Sequence, residues 1–148
     1  MRGAQAARRT SSLQRYIVAT VFRQPRLMPD FFQTEVLDKS FEKPVLVDFW
    51  APWCAPCQAL GPIVTKLAKE SKGAWRLVKI NTDKHPDLVA QFGVRGIPAL
   101  KLFRDGQVHD ALNGAVPEGR LREWLEEAGL GKLHDRGPAV RRWNVRGK

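Results

Sequence analysis

The apolar positions of the chain change period several times, and each change marks an element. Between Phe31 and Ser40, Phe32, Val36 and Leu37 fall on one side of a 3.6-residue repeat, which predicts a short helix. Pro44–Trp50 reads Pro-Val-Leu-Val-Asp-Phe-Trp, a near-continuous apolar run expected of a strand buried on both faces. From Cys54 to Lys72 the repeat is helical again, with Leu60, Ile63, Val64 and Leu67 on one stripe. Pro62 inside that stretch removes one hydrogen bond and predicts a kink. Leu77–Asn81 is a second strand, and Pro86–Phe92 a short helix that Gly93 is placed to end. Ala99–Phe103 and Val108–Leu112 flank Asp105–Gly106, a strong hairpin signal. Leu121, Trp124, Leu125 and Ala128, at i, i+3, i+4 and i+7, predict a final amphipathic helix.

This order predicts an α/β fold with a central mixed β-sheet flanked by helices on both faces. The early alternation calls for parallel strands joined by right-handed crossovers, and the late hairpin adds an antiparallel edge. A chain of 148 residues is expected to form one domain and to bury roughly two thirds of its surface. The pattern divides it into an N-terminal arm (1–28), a domain (29–130) and a C-terminal tail (131–148).

Charge follows the same division. Of the net charge of +10, residues 1–29 carry +6, residues 131–148 carry +5, and the stretch between is nearly neutral at −1. The basic character therefore belongs to the two tails, and the domain lacks the footprint of a nucleic-acid-binding surface. Solvated tails are the preferred reading; attraction of nucleic acid or an anionic surface through Arg2, Arg8, Arg9, Arg141, Arg142 and Arg146 is the alternative. No apolar run reaches the roughly 20 residues of a membrane-spanning helix, and Tyr16–Phe22 is a marginal signal core without a cleavage site. Four readings of the arm stay open: a disordered extension, an organellar transit peptide, an edge strand at Tyr16–Phe22, or translation starting at Met28.

Two cysteines, three positions apart, are the only ones in the chain. Closing so short a loop stabilises little, and a secreted scaffold would use more cysteines, so chemistry explains the pair better than stability does. Cys54 follows a buried strand and opens a helix, whose unpaired N–H groups and dipole favour its thiolate, the reactive form. Cys57, one turn on, is expected to face the same way, to be more buried and to resolve a mixed disulfide formed by Cys54. Pro56, beside Ala55 between them, stiffens the first turn where a missing N–H costs nothing. A zinc site lacks a second cysteine pair, and position 58 is Gln, not the His of a haem-attachment motif. No metal and no dissociable cofactor are expected.

Asp48 interrupts the apolar strand, so burial should raise its pKa. Six residues before Cys54, it is a candidate proton acceptor for Cys57; a buried acid satisfied by hydrogen bonds is the alternative. Lys79, on the next strand, is placed either to moderate that charge or to lie in solvent. In Gly96–Ile97–Pro98, a cis Pro98 would free the backbone of Ile97 to pair with an extended substrate segment. Trp53, Pro98 and Gly114–Ala115 would make a shallow docking face, with Trp50 as support beneath it.

The run Val47-Asp48-Phe49-Trp50-Ala51-Pro52-Trp53-Cys54-Ala55-Pro56-Cys57 resembles the active-site stretch of thioredoxins. The similarity extends over about 31–130, through Lys79-Ile80-Asn81-Thr82-Asp83, Phe92-Gly93-Val94-Arg95-Gly96-Ile97-Pro98 and Phe103-Arg104-Asp105-Gly106. The resemblance implies a thioredoxin fold with Pro98 cis, Cys54 as nucleophile, Cys57 as resolving thiol and Asp48 as buried proton carrier. It also implies disulfide-containing protein substrates, an NADPH-dependent flavin thioredoxin reductase as electron source, a monomer, and a cytoplasmic or, if the arm is a transit peptide, organellar location. Ala55 departs from the glycine usual in the family, as do the basic arm and tail, and Gln24–Met28 would make a poor first strand. Two other functions remain at this level: a more oxidising disulfide oxidase or isomerase, and a redox-regulated holdase or binding subunit. The oxidase and isomerase relatives usually carry His where this chain has Pro56.

Overall fold

Five consecutive buried residues, Val45–Phe49, form the middle of the molecule. They belong to β1 (Val45–Trp50), one of the two inner strands of a sheet ordered β2-β1-β3-β4 in the computed structural model, which describes residues 28–131. The other strands are β2 (Arg76–Asn81), β3 (Ala99–Arg104) and β4 (Gln107–Asn113). Alternation along β1 sends Val45, Val47 and Phe49 into one apolar cluster and Leu46 into another, as a two-residue period requires.

Among the described residues, four helical segments cover the sheet. The first, α1, begins as an α-helical turn (Asp30–Phe32), widens to a π-helix (Gln33–Asp38) and closes as a 3-10 turn (Lys39–Phe41). It buries Phe32 and Val36, while Leu37 is half-buried. With α3 (Pro86–Gln91) it seals one face, where Phe32, Phe92 and Phe103 meet in tilted and edge-to-face pairs with ring centroids 5.1–5.7 Å apart. On the other face, α2 (Ala55–Glu70) and α4 (Glu118–Glu127) pack Leu60, Val64, Leu67, Leu121, Trp124 and Leu125 against Leu46, Leu100 and Leu102. The helix α2 runs as one element through Pro62.

The predicted element order is present, but the pairing is more antiparallel than the alternation suggested. Only β1 and β2 are parallel; β3 already runs antiparallel to β1, before the hairpin adds β4. The six residues of α3 rise about 9 Å, well short of the roughly 20 Å of a six-residue strand. The chain therefore enters β3 at the end where it left β2. Asp105 and Gly106, with φ of 50° and 76°, turn that strand into β4, the primed geometry the dipeptide called for. Ser40, buried, ties α1 to the turn: its Oγ accepts from the Gly106 N–H at 2.7 Å and its carbonyl from the Asp105 N–H at 3.0 Å. The suggested edge strand at Tyr16–Phe22 and residues 24–27 of the weak first strand lie outside the described residues.

Candidate active site

The parallel strands β1 and β2 end side by side, and the loops leaving them converge on the start of α2, the position where α/β sheets commonly bind ligands. A turn closed by the Cys54 N–H on the Ala51 carbonyl (3.2 Å) delivers Cys54 to the N-cap of α2, with extended backbone. The Cys57 N–H donates to the Cys54 sulfur at 3.2 Å. One of the helix's four unpaired N–H groups thus points at the sulfur, at the positive end of the helix dipole. The two cysteines are joined as a disulfide with Cα atoms 5.3 Å apart. Pro56 occupies the first turn of the helix, and Ala55 and Pro56 are exposed.

In this disulfide form, burial does not separate the two sulfurs as expected. Cys54 is 4% exposed and Cys57 5%. Ala51, Trp50 and Ile97 pack around the cysteines, and the Cys54 sulfur lies 3.8 Å from the Ile97 carbonyl oxygen. The bond to Cys57 also covers the face each sulfur would present to the other.

Asp48 is where the strand pattern places it, 2% exposed on the α2 side of β1. Burial raises its pKa from the ordinary 3.8 to about 6, and the Lys79 ammonium pulls the other way. Its Oδ1 is buried and has no hydrogen-bond partner among the described residues. Lys79 is the register partner of Asp48 on β2, exposed yet on the same side of the sheet. A groove of about 720 Å³ joins them: Asp48, Trp50, Cys57, Gly61 and Lys79 line it, with Lys66, Lys69 and Glu70 towards solvent.

The docking face forms only in part as expected. Trp53 is 71% exposed, and Gly96, Gly114 and Ala115 are exposed, whereas the Pro98 ring is buried. The Ile97–Pro98 peptide is cis, and the Pro98 carbonyl accepts from the Gly114 N–H at 2.8 Å, which ties that segment to the start of β3. Pro98 thus shapes the face from below, and half-buried Ile97 packs on the cysteine cluster. Trp50, half-buried, packs there too, as support.

Two positioning contacts escaped the sequence. Asp83 Oδ1 accepts from the Trp53 indole N–H at 3.1 Å, and the Gln58 side-chain amide donates to the Pro52 carbonyl at 3.2 Å. Asp83 had a readable signal: it follows the C-terminal end of β2, the parallel neighbour of the strand that leads to the site. Among the described residues, no group of three or more His, Cys, Asp or Glu side chains gathers as a metal site.

A four-stranded mixed sheet ending in a helix-capping dithiol pair beside a buried acid defines a thiol–disulfide oxidoreductase of the thioredoxin class. The thioredoxin family model matches residues 25–127, and the chain belongs to that family. It is 47% identical to thioredoxin 1 of Nostoc over 96 residues, 65% of this chain and 88% of the relative. It is 44% identical to a Synechocystis thioredoxin (70% and 94% covered), and 41% identical to the chloroplastic thioredoxin M4 of Arabidopsis thaliana (73% and 55%). The protein is a protein-disulfide reductase that acts by dithiol–disulfide exchange on disulfide-containing proteins and is recharged by a reductase; oxidase, isomerase and holdase readings are not favoured.

Proposed function

We propose the following division of labour. In the reduced protein, the Cys54 thiolate attacks one sulfur of a substrate disulfide; the substrate S–S bond breaks, and the departing thiolate takes a proton from solvent. A mixed disulfide then joins Cys54 to the substrate. The Cys57 thiol passes its proton to the ionised Asp48 carboxylate, and the resulting thiolate attacks the Cys54 sulfur. The second substrate sulfur leaves as a thiolate, and the protein holds the Cys54–Cys57 disulfide. Two electrons have moved to the substrate.

The observation that carries this assignment is the Cys57 N–H aimed at the Cys54 sulfur at the head of α2, which favours negative charge on Cys54. With a pKa of about 6, Asp48 is largely ionised at neutral pH yet basic enough to take a thiol proton. Lys79 moderates that basicity. Trp53, the Ile97 backbone ahead of cis Pro98, and Gly114 meet the substrate, while Ala55 and Pro56 shape the turn. No dissociable cofactor takes part. The electron donor is an NADPH-dependent thioredoxin reductase, and the protein works as a cytoplasmic monomer.

Insulin reduction with NADPH and a thioredoxin reductase tests the roles. Cys54→Ser is expected to abolish turnover, and Cys57→Ser to accumulate a substrate adduct on Cys54 visible by intact mass. Turnover that survives Cys54→Ser removes the assigned nucleophile.

A further inference from the structure

Gly61 sits in the interior of α2, where glycine is disfavoured relative to alanine and where its own backbone is ordinary helix. A Cβ at this position would stand 3.3 Å from Nζ of Lys79 and, apart from its two chain neighbours and the helix's own backbone, would meet nothing else within 4 Å. The bare position therefore faces one group from another element, the lysine ammonium. Gly61 and Lys79 line the same groove as Asp48 and Cys57, and Lys79 is the β2 residue in register with Asp48.

Two of the other charges around that groove are held in ion pairs of their own. On α2, Glu70 is held by Arg122 of α4 at 2.8 Å and Lys66 by Glu118 at 3.1 Å, while Lys69 lies exposed. Asp48 is in register with the apolar Leu100 of β3, and Cys57 and these side chains of α2 line the same groove. Among the described residues Lys79 makes no ion pair, so it acts on Asp48 through space, and its distance sets the strength of that action.

We propose that Gly61 is a positioning residue for Lys79: its missing side chain leaves the space over α2 in which the ammonium rests close enough to Asp48 to favour the charged carboxylate. A side chain at 61 would press an apolar group against the ammonium, and Lys79, exposed on its other side, would swing towards water. The consequence for turnover rests on the reading of Asp48 as the base for Cys57; the positioning itself does not.

The test is a carbon-13 carboxyl titration of Asp48 in the full-length disulfide form, comparing wild type, Gly61→Ala, Gly61→Met, Lys79→Met and the double variant Gly61→Met/Lys79→Met. Gly61→Met should move the Asp48 midpoint up by about half a pH unit, as expected for one partly screened charge withdrawn. Gly61→Ala should move it in the same direction by less, and it favours the helix, so it carries the test should the methionine variant fail to fold. On the Lys79→Met background, Gly61→Met should add nothing. A midpoint that stays put in both Gly61 variants, or a shift that persists without Lys79, overturns the proposal. The pH profile of mixed-disulfide release separates the two readings. Should the carboxyl midpoint move and the release profile not follow, Gly61 positions Lys79 as proposed, and Asp48 loses its role as base.

Discussion

The two faces of β1 are built from alternate residues of one strand, yet they do different things. Val45, Val47 and Phe49 point into a cluster with Phe32, Val36, Ile80, Leu88 and Phe103 that contains no buried charge. Leu46 opens the opposite face well, against Leu60, Val64 and Leu100, but two residues on the same face presents Asp48. Beyond Asp48 the packing gives way to the groove and the cysteines. One face maximises burial. The other gives up packing at one point to hold an acid whose environment penalises its charge. Fold stability and thiol chemistry thus separate across a single strand, and substitutions on either side should separate too.

The largest effect should come from the reactive end. Cys54→Ser is expected to lower insulin reduction by a factor of about a thousand or more, because the remaining thiol, Cys57, lacks the helix-cap position that favours the Cys54 thiolate and has no partner left to resolve a mixed disulfide. Urea unfolding of the reduced wild type and of the variant should give nearly equal midpoints. On the sealed face, Phe49→Ala should do the reverse, costing about 3–5 kcal/mol in urea unfolding through the cavity it leaves. Turnover per folded molecule should stay at the wild-type level. A Phe49→Ala protein that is folded but inactive would show that the faces are coupled.

Asp48 should register in both kinds of measurement. Its folded pKa of about 6 lies above the ordinary 3.8, so between those values the folded protein holds a proton the unfolded chain has released. Stability of the disulfide form should therefore fall as pH rises from about 4 to about 6, by about 3 kcal/mol in total, and level off above. Asp48→Asn should remove that slope while slowing mixed-disulfide release by about a hundredfold. Parallel stability curves for the two proteins between pH 4 and 8 would place the strained acid elsewhere.

What the sequence disclosed follows how local each signal is. Asp105–Gly106 announced its turn because two adjacent residues must adopt positive φ, and Cys54 announced its cap because a strand ended just before it. Asp48 stood out against its apolar neighbours, so its burial could be expected without knowing what covers it. The direction of β3 was not legible, because it depends on where a six-residue helix returns the chain. That α1 widens into a π-helix left no trace in the spacing of Phe32 and Val36. The buried Pro98 ring, and the equal covering of Cys54 and Cys57, depend on loops from three elements closing together. Gly61 looked like an ordinary weak point in a helix until β2 supplied the lysine opposite it.

The smallest expected effect concerns the rim of the reactive face. Trp53 offers a large aromatic surface to solvent, and the bond from its indole N–H to Asp83 limits how that ring turns. An exposed hydrogen bond of this kind is worth about 1 kcal/mol or less, so Asp83→Ala should leave both the fold and the cysteine chemistry intact. The freed ring would have to be ordered again each time a substrate docks. That cost falls on binding, so the KM for insulin should rise about two- to fivefold while kcat holds. Trp53→Ala should raise KM further, and Asp83→Ala should add nothing to it, since the carboxylate acts only through the ring. A fall in kcat with KM unchanged would mean instead that Asp83 reaches the sulfur chemistry, and the boundary between docking rim and reactive centre would have to be redrawn to include the loop after β2.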